Sequence, residues 1–115
     1  MKAFIYSDMQ LIGETKLIPG DVSMGCVYGD FEPNEYYIFS LQKKVQELNN
    51  NIKTDFLAWQ QLKLSVQLEN GYFLHPVGGC VINDLEDLQD EPIHIDIMGL
   101  DHHIITEYFA LENLL

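Results

Sequence analysis

The sequence predicts a single α+β domain, residues 1–115, in which a mostly antiparallel, curved sheet of five to seven strands packs against one long helix. Three observations lead to this class: two segments alternate apolar and polar residues, an Asn-Gly dipeptide follows the first of them, and one segment repeats apolar residues at spacings of three and four. With 115 residues, 47% of them apolar, the chain has the length and composition for one hydrophobic core.

Three strands are predicted in the first third of the chain, at residues 2–6, 10–18 and 24–31. Pro19-Gly20-Asp21 is a turn sequence that ends the second strand, because proline fixes φ and glycine permits the reversal. Gly25 and Gly29 lie in the third strand, where glycine indicates a bulge or the close approach of another backbone.

A helix is predicted from Asn34 to residues 49–51. Acidic residues near its start interact favourably with the positive end of the helix dipole, and the Asn-Asn-Asn run ends the helix. Its buried face is expected to consist of residues at helical spacing: Ile38, Leu41, Val45 and Leu48.

Residues 62–69 alternate apolar and polar side chains, which is typical of a strand buried on one face. Asn70-Gly71 then favours a two-residue type I′ turn, so a β-hairpin is expected. Such a turn would pair Leu68 with Phe73, Val66 with His75, and Leu64 with Val77. Pro76 either limits hydrogen bonding by the second strand or places that strand at an edge.

Further strands are predicted at residues 80–82 and 93–97. The C-terminal segment leaves two alternatives open. Asp101 is a suitable N-cap for a helix whose apolar residues recur at helical spacing, whereas the Ile-Ile-Thr sequence at 104–106 would also suit a strand. The helix is the preferred interpretation, and its apolar face would contain Ile104, Tyr108, Leu111 and Leu115.

The charge is strongly one-sided, with 18 acidic residues against six lysines and no arginine. From Leu64 onward there are ten Asp or Glu residues and no lysine. Nucleic acids and anionic membranes are usually bound through clustered Lys and Arg, so neither is an expected partner. A net charge of −12 instead predicts a protein partner with a basic surface.

The densest acidic stretch contains seven carboxylates between Asp84 and Asp101. Concentrated negative potential accelerates encounter with a cationic partner, and the alternative interpretation is an ordinary solvated loop. The residues predicted to bind the partner are Asp84, Glu86, Asp87, Asp90, Glu91 and Asp96. No cofactor is expected.

An enzymatic function is the alternative hypothesis, as a small metal- or ligand-binding enzyme that uses His94, Asp96, His102 and His103. The signal is weak, since the chain has no HExxH, CxxC pair or Walker loop. Cys26 and Cys80 are expected to be reduced and structural. A homo-oligomeric structural subunit, joined at a sheet edge near Pro76, is a third hypothesis.

No signal peptide or apolar run long enough to cross a bilayer is present, so a cytoplasmic location is expected. Two segments carry a family resemblance: residues 21–36 (DVSMGCVYGDFEPNEY) and residues 68–79 (LENGYFLHPVGG). They resemble the small acidic immunity proteins of bacterial polymorphic and contact-dependent growth inhibition toxin systems. The resemblance implies a non-enzymatic cytoplasmic inhibitor of a delivered toxin domain, often a nuclease, and it implies no catalytic residues.

Overall fold

The computed structural model describes residues 1–50, 56–85 and 90–109. The described strands are β1 (Lys2–Ser7), β2 (Gln10–Lys16), β3 (Ile18–Pro19), β4 (Val27–Pro33), β5 (Leu64–Leu68), β6 (Gly79–Asn83) and β7 (His94–Met98). The described helices are a 3₁₀ turn (Val22–Met24), a π-helix (Tyr37–Leu41) that continues into α1 (Gln42–Asn50), α2 (Phe56–Gln60) and α3 (His102–Tyr108).

The strands form one antiparallel sheet in the order β5-β1-β2-β4-β7-β6, with β3 paired to β4. Strand β4 is central, because residues 27–30 pair with β7 whereas residues 31–33 pair with β2. The sheet therefore curls around β4. This confirms the predicted α+β class, with a curved antiparallel sheet, one long helix and a C-terminal helix.

The concave inner face of the sheet holds the core. On β4, Val27 and Phe31 are buried, whereas the alternate residues Tyr28, Asp30 and Glu32 are exposed on the outer face. The largest fully buried side chains come from both the sheet and the helices: Tyr37, Ile5, Ile12, Leu17, Leu68, Ile82, Ile95, Ile97, Ile105, Val27, Val45 and Val66. One continuous core thus includes residues from both ends of the chain.

The long helix begins as predicted, because the Asn34 side chain caps it by accepting the Tyr37 N–H at 3.0 Å. Its buried face differs from the prediction at the first position. Tyr37 is fully buried and contacts the Phe31 ring edge-on, with 5.1 Å between ring centroids, whereas Ile38 is 43% exposed. The π-helix is the reason, since its wider turn rotates the first residues relative to Val45 in α1.

The predicted hairpin has the wrong register. A three-residue loop connects Leu68 to Tyr72, whose carbonyl accepts the Leu68 N–H at 2.8 Å, and the only bridge joins Gln67 to Phe73 among the residues described. A one-residue slip exchanges the two faces of a strand, so Phe73 is 43% exposed and Leu74 is buried.

The second strand of that hairpin also ends early. After Leu74 the chain leaves β5 at Pro76, which has no N–H to donate, and runs to the other edge of the sheet. There Val77 donates to Gly99 at 3.1 Å and Gly78 donates to Met98 at 2.9 Å.

Gly25 and Gly29 have the close-approach role that the sequence predicted. A Cβ at Gly29 would collide with the Lys16 carbonyl oxygen, and a Cβ at Gly25 would collide with the Leu100 backbone. Gly25 also has φ of +70°, which ends the 3₁₀ turn, and β4 therefore begins at Val27 and not at the predicted residue 24.

The C-terminal segment is helical, which settles the two alternatives in favour of the helix. Ile104 and Ile105 of α3 are buried, and Tyr108 stacks on Tyr72 with 5.2 Å between ring centroids. The predicted face positions Leu111 and Leu115 lie outside the described residues. Within the described part of the chain, no helix has the length and apolar character needed to cross a membrane.

Candidate anionic interface

The charged side chains separate along the topology of the sheet. Residues 1–17 and 56–78, which form β1, β2 and β5, carry three carboxylates and three lysines. The helical segment 34–50 carries two of each. The remaining described residues, 18–33, 79–85 and 90–109, carry nine carboxylates and no lysine, and we call them the anionic half.

The anionic half is contiguous in space. Strands β3, β4, β7 and β6 are hydrogen-bonded neighbours, and α3 packs against the 3₁₀ turn that precedes β4. The Leu100 N–H donates to the Gly25 carbonyl at 3.0 Å, which fixes the start of α3 to that turn. All of the net charge of the described residues therefore lies on one continuous part of the molecule.

The outer face of β4 and β7 presents carboxylates in cross-strand rows. Asp30 lies opposite His94, and its Oδ1 is 3.1 Å from the His94 Nδ1. Asp96 lies opposite Tyr28 and accepts a hydrogen bond from the Asn83 Nδ2 at 2.6 Å. Both rows lie on the solvent side because Val27 and the intervening residues of these strands point into the core.

Glu14 and Glu32 are directly opposite each other on β2 and β4. The Lys2 Nζ is 3.7 Å from Glu14, whereas Glu32 has no ion-pair partner among the described lysines. Like charges directly across an antiparallel pair are destabilising. The repulsion between Glu14 and Glu32 therefore destabilises the folded state. Sequence reasoning missed Glu32 and Asp30, because they join the acidic surface only through the register between β4 and its neighbours.

Asp84 has a structural place that differs from its predicted role at the partner surface. Its side chain is buried, and its Oδ2 accepts hydrogen bonds from the Tyr37 hydroxyl at 2.6 Å and the Gln42 amide at 3.1 Å. Its Oδ1 accepts from the Gln46 amide at 3.2 Å. A buried carboxylate is stable when donors surround it, so Asp84 joins the end of β6 to the long helix and is not exposed to a partner.

The other predicted partner-binding residues have three different outcomes. Asp90 and Glu91 are exposed just before β7, as the prediction requires. Asp96 is half-buried on the outer face of the sheet. Glu86 and Asp87 lie outside the described residues. The structure thus keeps Asp90, Glu91 and Asp96 on the anionic half, and adds Asp30 and Glu32 from β4.

The predicted metal ligands are not brought together. No three His, Cys, Asp or Glu side chains of the described chain lie close enough to hold a metal ion, and the described chain includes His94, Asp96, His102 and His103. The nearest charged partner of His94 is Asp30, while His102 and His103 are exposed at the start of α3.

The two cysteines are free thiols, as the sequence predicted. Burial raises the pKa of the Cys80 thiol to about 11. A thiol in this environment is a poor nucleophile, since only the thiolate reacts.

We expect Tyr37 to make stability fall at alkaline pH. Burial, and after it the hydrogen bond and the negative charge of Asp84, raise the pKa of the Tyr37 hydroxyl well above its usual value. The folded state therefore holds this proton more tightly than the unfolded state. The resulting stabilisation is complete below about pH 10, the ordinary tyrosine pKa, and is lost as the pH rises above it.

The measurement is the free energy of unfolding in urea between pH 8 and 11.5, in a Cys80→Ala background so that the thiol does not contribute. Tyr37→Phe should lower the free energy of unfolding by about 1–3 kcal/mol at pH 8, because Asp84 loses a hydrogen-bond donor. The free energy of unfolding of this variant should also fall less steeply with pH than that of the protein that keeps Tyr37. Parallel curves for the two proteins would contradict this account of Tyr37.

We expect Cys80 to resist alkylation in the folded protein. With its pKa at about 11, only about one thiol in a thousand is ionised at pH 8. Iodoacetamide should therefore modify Cys80 at least about tenfold more slowly in buffer than in denaturing urea, as measured by peptide mapping. Equal rates in the two solvents would show that the thiol is not shielded.

We expect Glu32→Lys to stabilise the protein. The change replaces a like-charge pair with Glu14 by an opposite-charge pair, which contributes about 0.2–1 kcal/mol across a strand pair. The midpoint of urea unfolding at low salt measures it, and Glu32→Gln separates the loss of repulsion from the gain of attraction. An unchanged midpoint in both variants would mean that solvent already screens the Glu14–Glu32 pair.

Comparison with protein family models, with curated proteins and with solved structures gave no match to this chain.

Proposed function

We propose that this chain is a non-enzymatic immunity protein, which binds and neutralises a basic toxin domain, a nuclease, through its anionic half. The single observation that carries the proposal is the segregation of charge: nine carboxylates and no lysine lie on the described residues of one half, while the described remainder is balanced. Self-repulsion destabilises such an arrangement, and a cationic partner would relieve it.

The outer face of β4 and β7 suits the surface of a nucleic-acid enzyme. A nuclease must present Lys and Arg to phosphates, and an inhibitor that offers carboxylates can occupy the same groove. Asp30 and Glu32 extend from β4, and Asp90 and Glu91 precede β7, so carboxylates from separate segments would meet one partner surface. Complementary potentials of this kind accelerate association and disfavour wrong partners.

Aromatic anchors are also needed, because charges at the rim of an interface contribute little affinity. Four tyrosines are candidate anchors: Tyr28, Tyr36, Tyr37 and Tyr72. Tyr37 is buried and Tyr72 stacks on Tyr108, so neither is available, and Tyr36 lies on the helical segment outside the anionic half. Tyr28 is 40% exposed and lies opposite Asp96 on the outer face. Tyr28 is therefore the anchor that we place at the centre of the interface.

The assignment to immunity proteins rests on the resemblance of residues 21–36 and 68–79 to that family, whereas the nuclease is inferred from the charge of the anionic half. The first of these segments contains Tyr28, Asp30 and Glu32. Under this proposal the protein acts in the cytoplasm of the protected cell, where it meets the delivered toxin domain before that domain reaches its substrate.

The test begins with the gene immediately upstream, which under this proposal encodes a large secreted protein that ends in a lysine-rich domain. That domain is the partner whose binding is measured. Asp30→Lys/Glu32→Lys and Asp90→Lys/Glu91→Lys should each lower the association rate constant about tenfold or more at low salt and flatten its salt dependence, as measured by surface plasmon resonance. Tyr28→Ala should instead raise the dissociation rate constant. Protection of cells that express the toxin domain should fall in the same order.

The matched control is Glu47→Lys/Glu69→Lys, which changes the net charge equally at exposed positions outside the anionic half. It should leave binding within about twofold of the parent protein. An equal loss in this control would mean that overall charge, and not this surface, governs the encounter. Binding and protection that are unchanged in both anionic-half variants would refute the proposal.

A further inference from the structure

A cleft of about 680 Å³ opens at the seam of the sheet, between β5 and the chain that leads into β6. It lies where the predicted hairpin would have placed its second strand, and it exists because the chain turns away from β5 at Pro76. Its walls include Trp59, Leu64, Val66, Leu74, Pro76 and Cys80.

The hydrogen bonds of β5 show which backbone groups face this cleft. The Lys63 carbonyl accepts from Asp8 at 3.1 Å, and the Glu69 N–H donates to Lys2 at 2.9 Å, so the N–H and C=O groups of the odd-numbered residues point toward β1. In a regular strand the N–H and C=O groups of the even-numbered residues then point away from β1. The N–H and C=O of Leu64 and the N–H of Val66 point into the seam, and within the described chain they have no hydrogen-bond partner.

The opposite wall offers a similar edge. The Ile82 carbonyl accepts from the Asn49 Nδ2 at 2.9 Å, so the main-chain groups of Ile82 point away from β7 and toward the helix. Cys80, two residues earlier on the same strand, faces the same way, and its backbone N–H and C=O point into the cleft. Main-chain groups of two sheet edges thus point into one opening, and those of Leu64 and the Val66 N–H have no partner among the described residues.

The side chains of the cleft differ from the rest of this acidic protein. The residues that line it include Lys63 and His75 and, within the described chain, no carboxylate. Its mouth carries two apolar side chains, Phe73 at 43% and Val77 at 85% exposure. The described lining can therefore contact an apolar segment, and it lacks the carboxylates that would attract basic residues.

We propose that this seam accepts an extended segment of a partner protein, which adds as a strand beside residues 64–66 of β5. The rest of this edge is already covered, because Leu68 donates to Tyr72 and the Val66 carbonyl accepts from the Leu74 N–H at 2.9 Å. Alternating main-chain donors and acceptors fit an extended backbone, and the apolar walls would hold every second side chain of that segment. The absence of carboxylates from the described lining favours a segment without basic residues. The described lining shares Gly79 and Cys80 with the anionic half but none of its carboxylates, and the inference does not depend on the proposed function.

Peptides selected from a phage-displayed library of random heptamers are the probe, and Trp59, the single tryptophan, lines the cleft and reports their binding by fluorescence. The selected peptides should alternate apolar residues and lack Lys and Arg. Leu64→Pro should weaken their binding about tenfold or more, since proline removes an N–H that faces the seam and none that faces β1. Leu64→Ala, which keeps the N–H, is the matched control and should retain binding within about threefold.

A second measurement leaves the protein unchanged. In an added strand, every second N–H of the peptide points toward β5. N-methylation of the residues whose N–H groups point toward β5 should abolish binding, whereas N-methylation of the intervening residues should not. Failure to select any peptide, equal binding to the Leu64→Pro and Leu64→Ala proteins, or equal effects of the two N-methylation sets would each overturn the proposal. A dimer that sedimentation detects in the parent protein and not in Leu64→Pro would assign the seam to a second copy, and would also overturn it.

Discussion

The pairing of β4 with β7 is the constraint on which the rest of the structure depends. Residues 27–30 of β4 pair with residues 94–97 of β7, so strands from the first and last thirds of the chain become neighbours in one sheet. This pairing brings Val27 and Ile97 into the same core and places Asp30 beside His94 on the opposite face. The core and the acidic surface therefore arise from a single register, and a slip by one residue would exchange them.

A buried polar network fixes the long helix to this sheet. Tyr37, Gln42 and Gln46 supply three donors to the Asp84 carboxylate from successive turns of the helix. Apolar packing alone would allow the helix to slide, whereas these bonds form at one position only. The π-helix has a role here because it turns Tyr37 inward, toward both Phe31 and Asp84. The Asp84 carboxylate thus stabilises the fold from a buried position, whereas the carboxylates of Asp30 and Glu32 are exposed at the surface.

Local patterns predicted much of the fold. Alternation located β5 and β7, and helical spacing located α1, since each of these elements buries one face in the way that its period requires. The hairpin register was wrong because Asn-Gly permits a two-residue turn but does not impose one, and Pro76 acts beyond the turn. The acidic site was predicted only in part. Asp90, Glu91 and Asp96 lie close together in sequence, whereas Asp30 and Glu32 join them through strand pairing over some sixty residues, which no local pattern encodes.

The uneven distribution of charge has a consequence for how the molecule moves before it touches anything. A neutral end and an anionic end give the protein an electric dipole moment in addition to its net charge. In the field of a cationic protein, this dipole produces a torque that turns the anionic end forward during diffusion. Within about a Debye length, 8 Å at physiological ionic strength, the outer face of the sheet would already be oriented toward that protein.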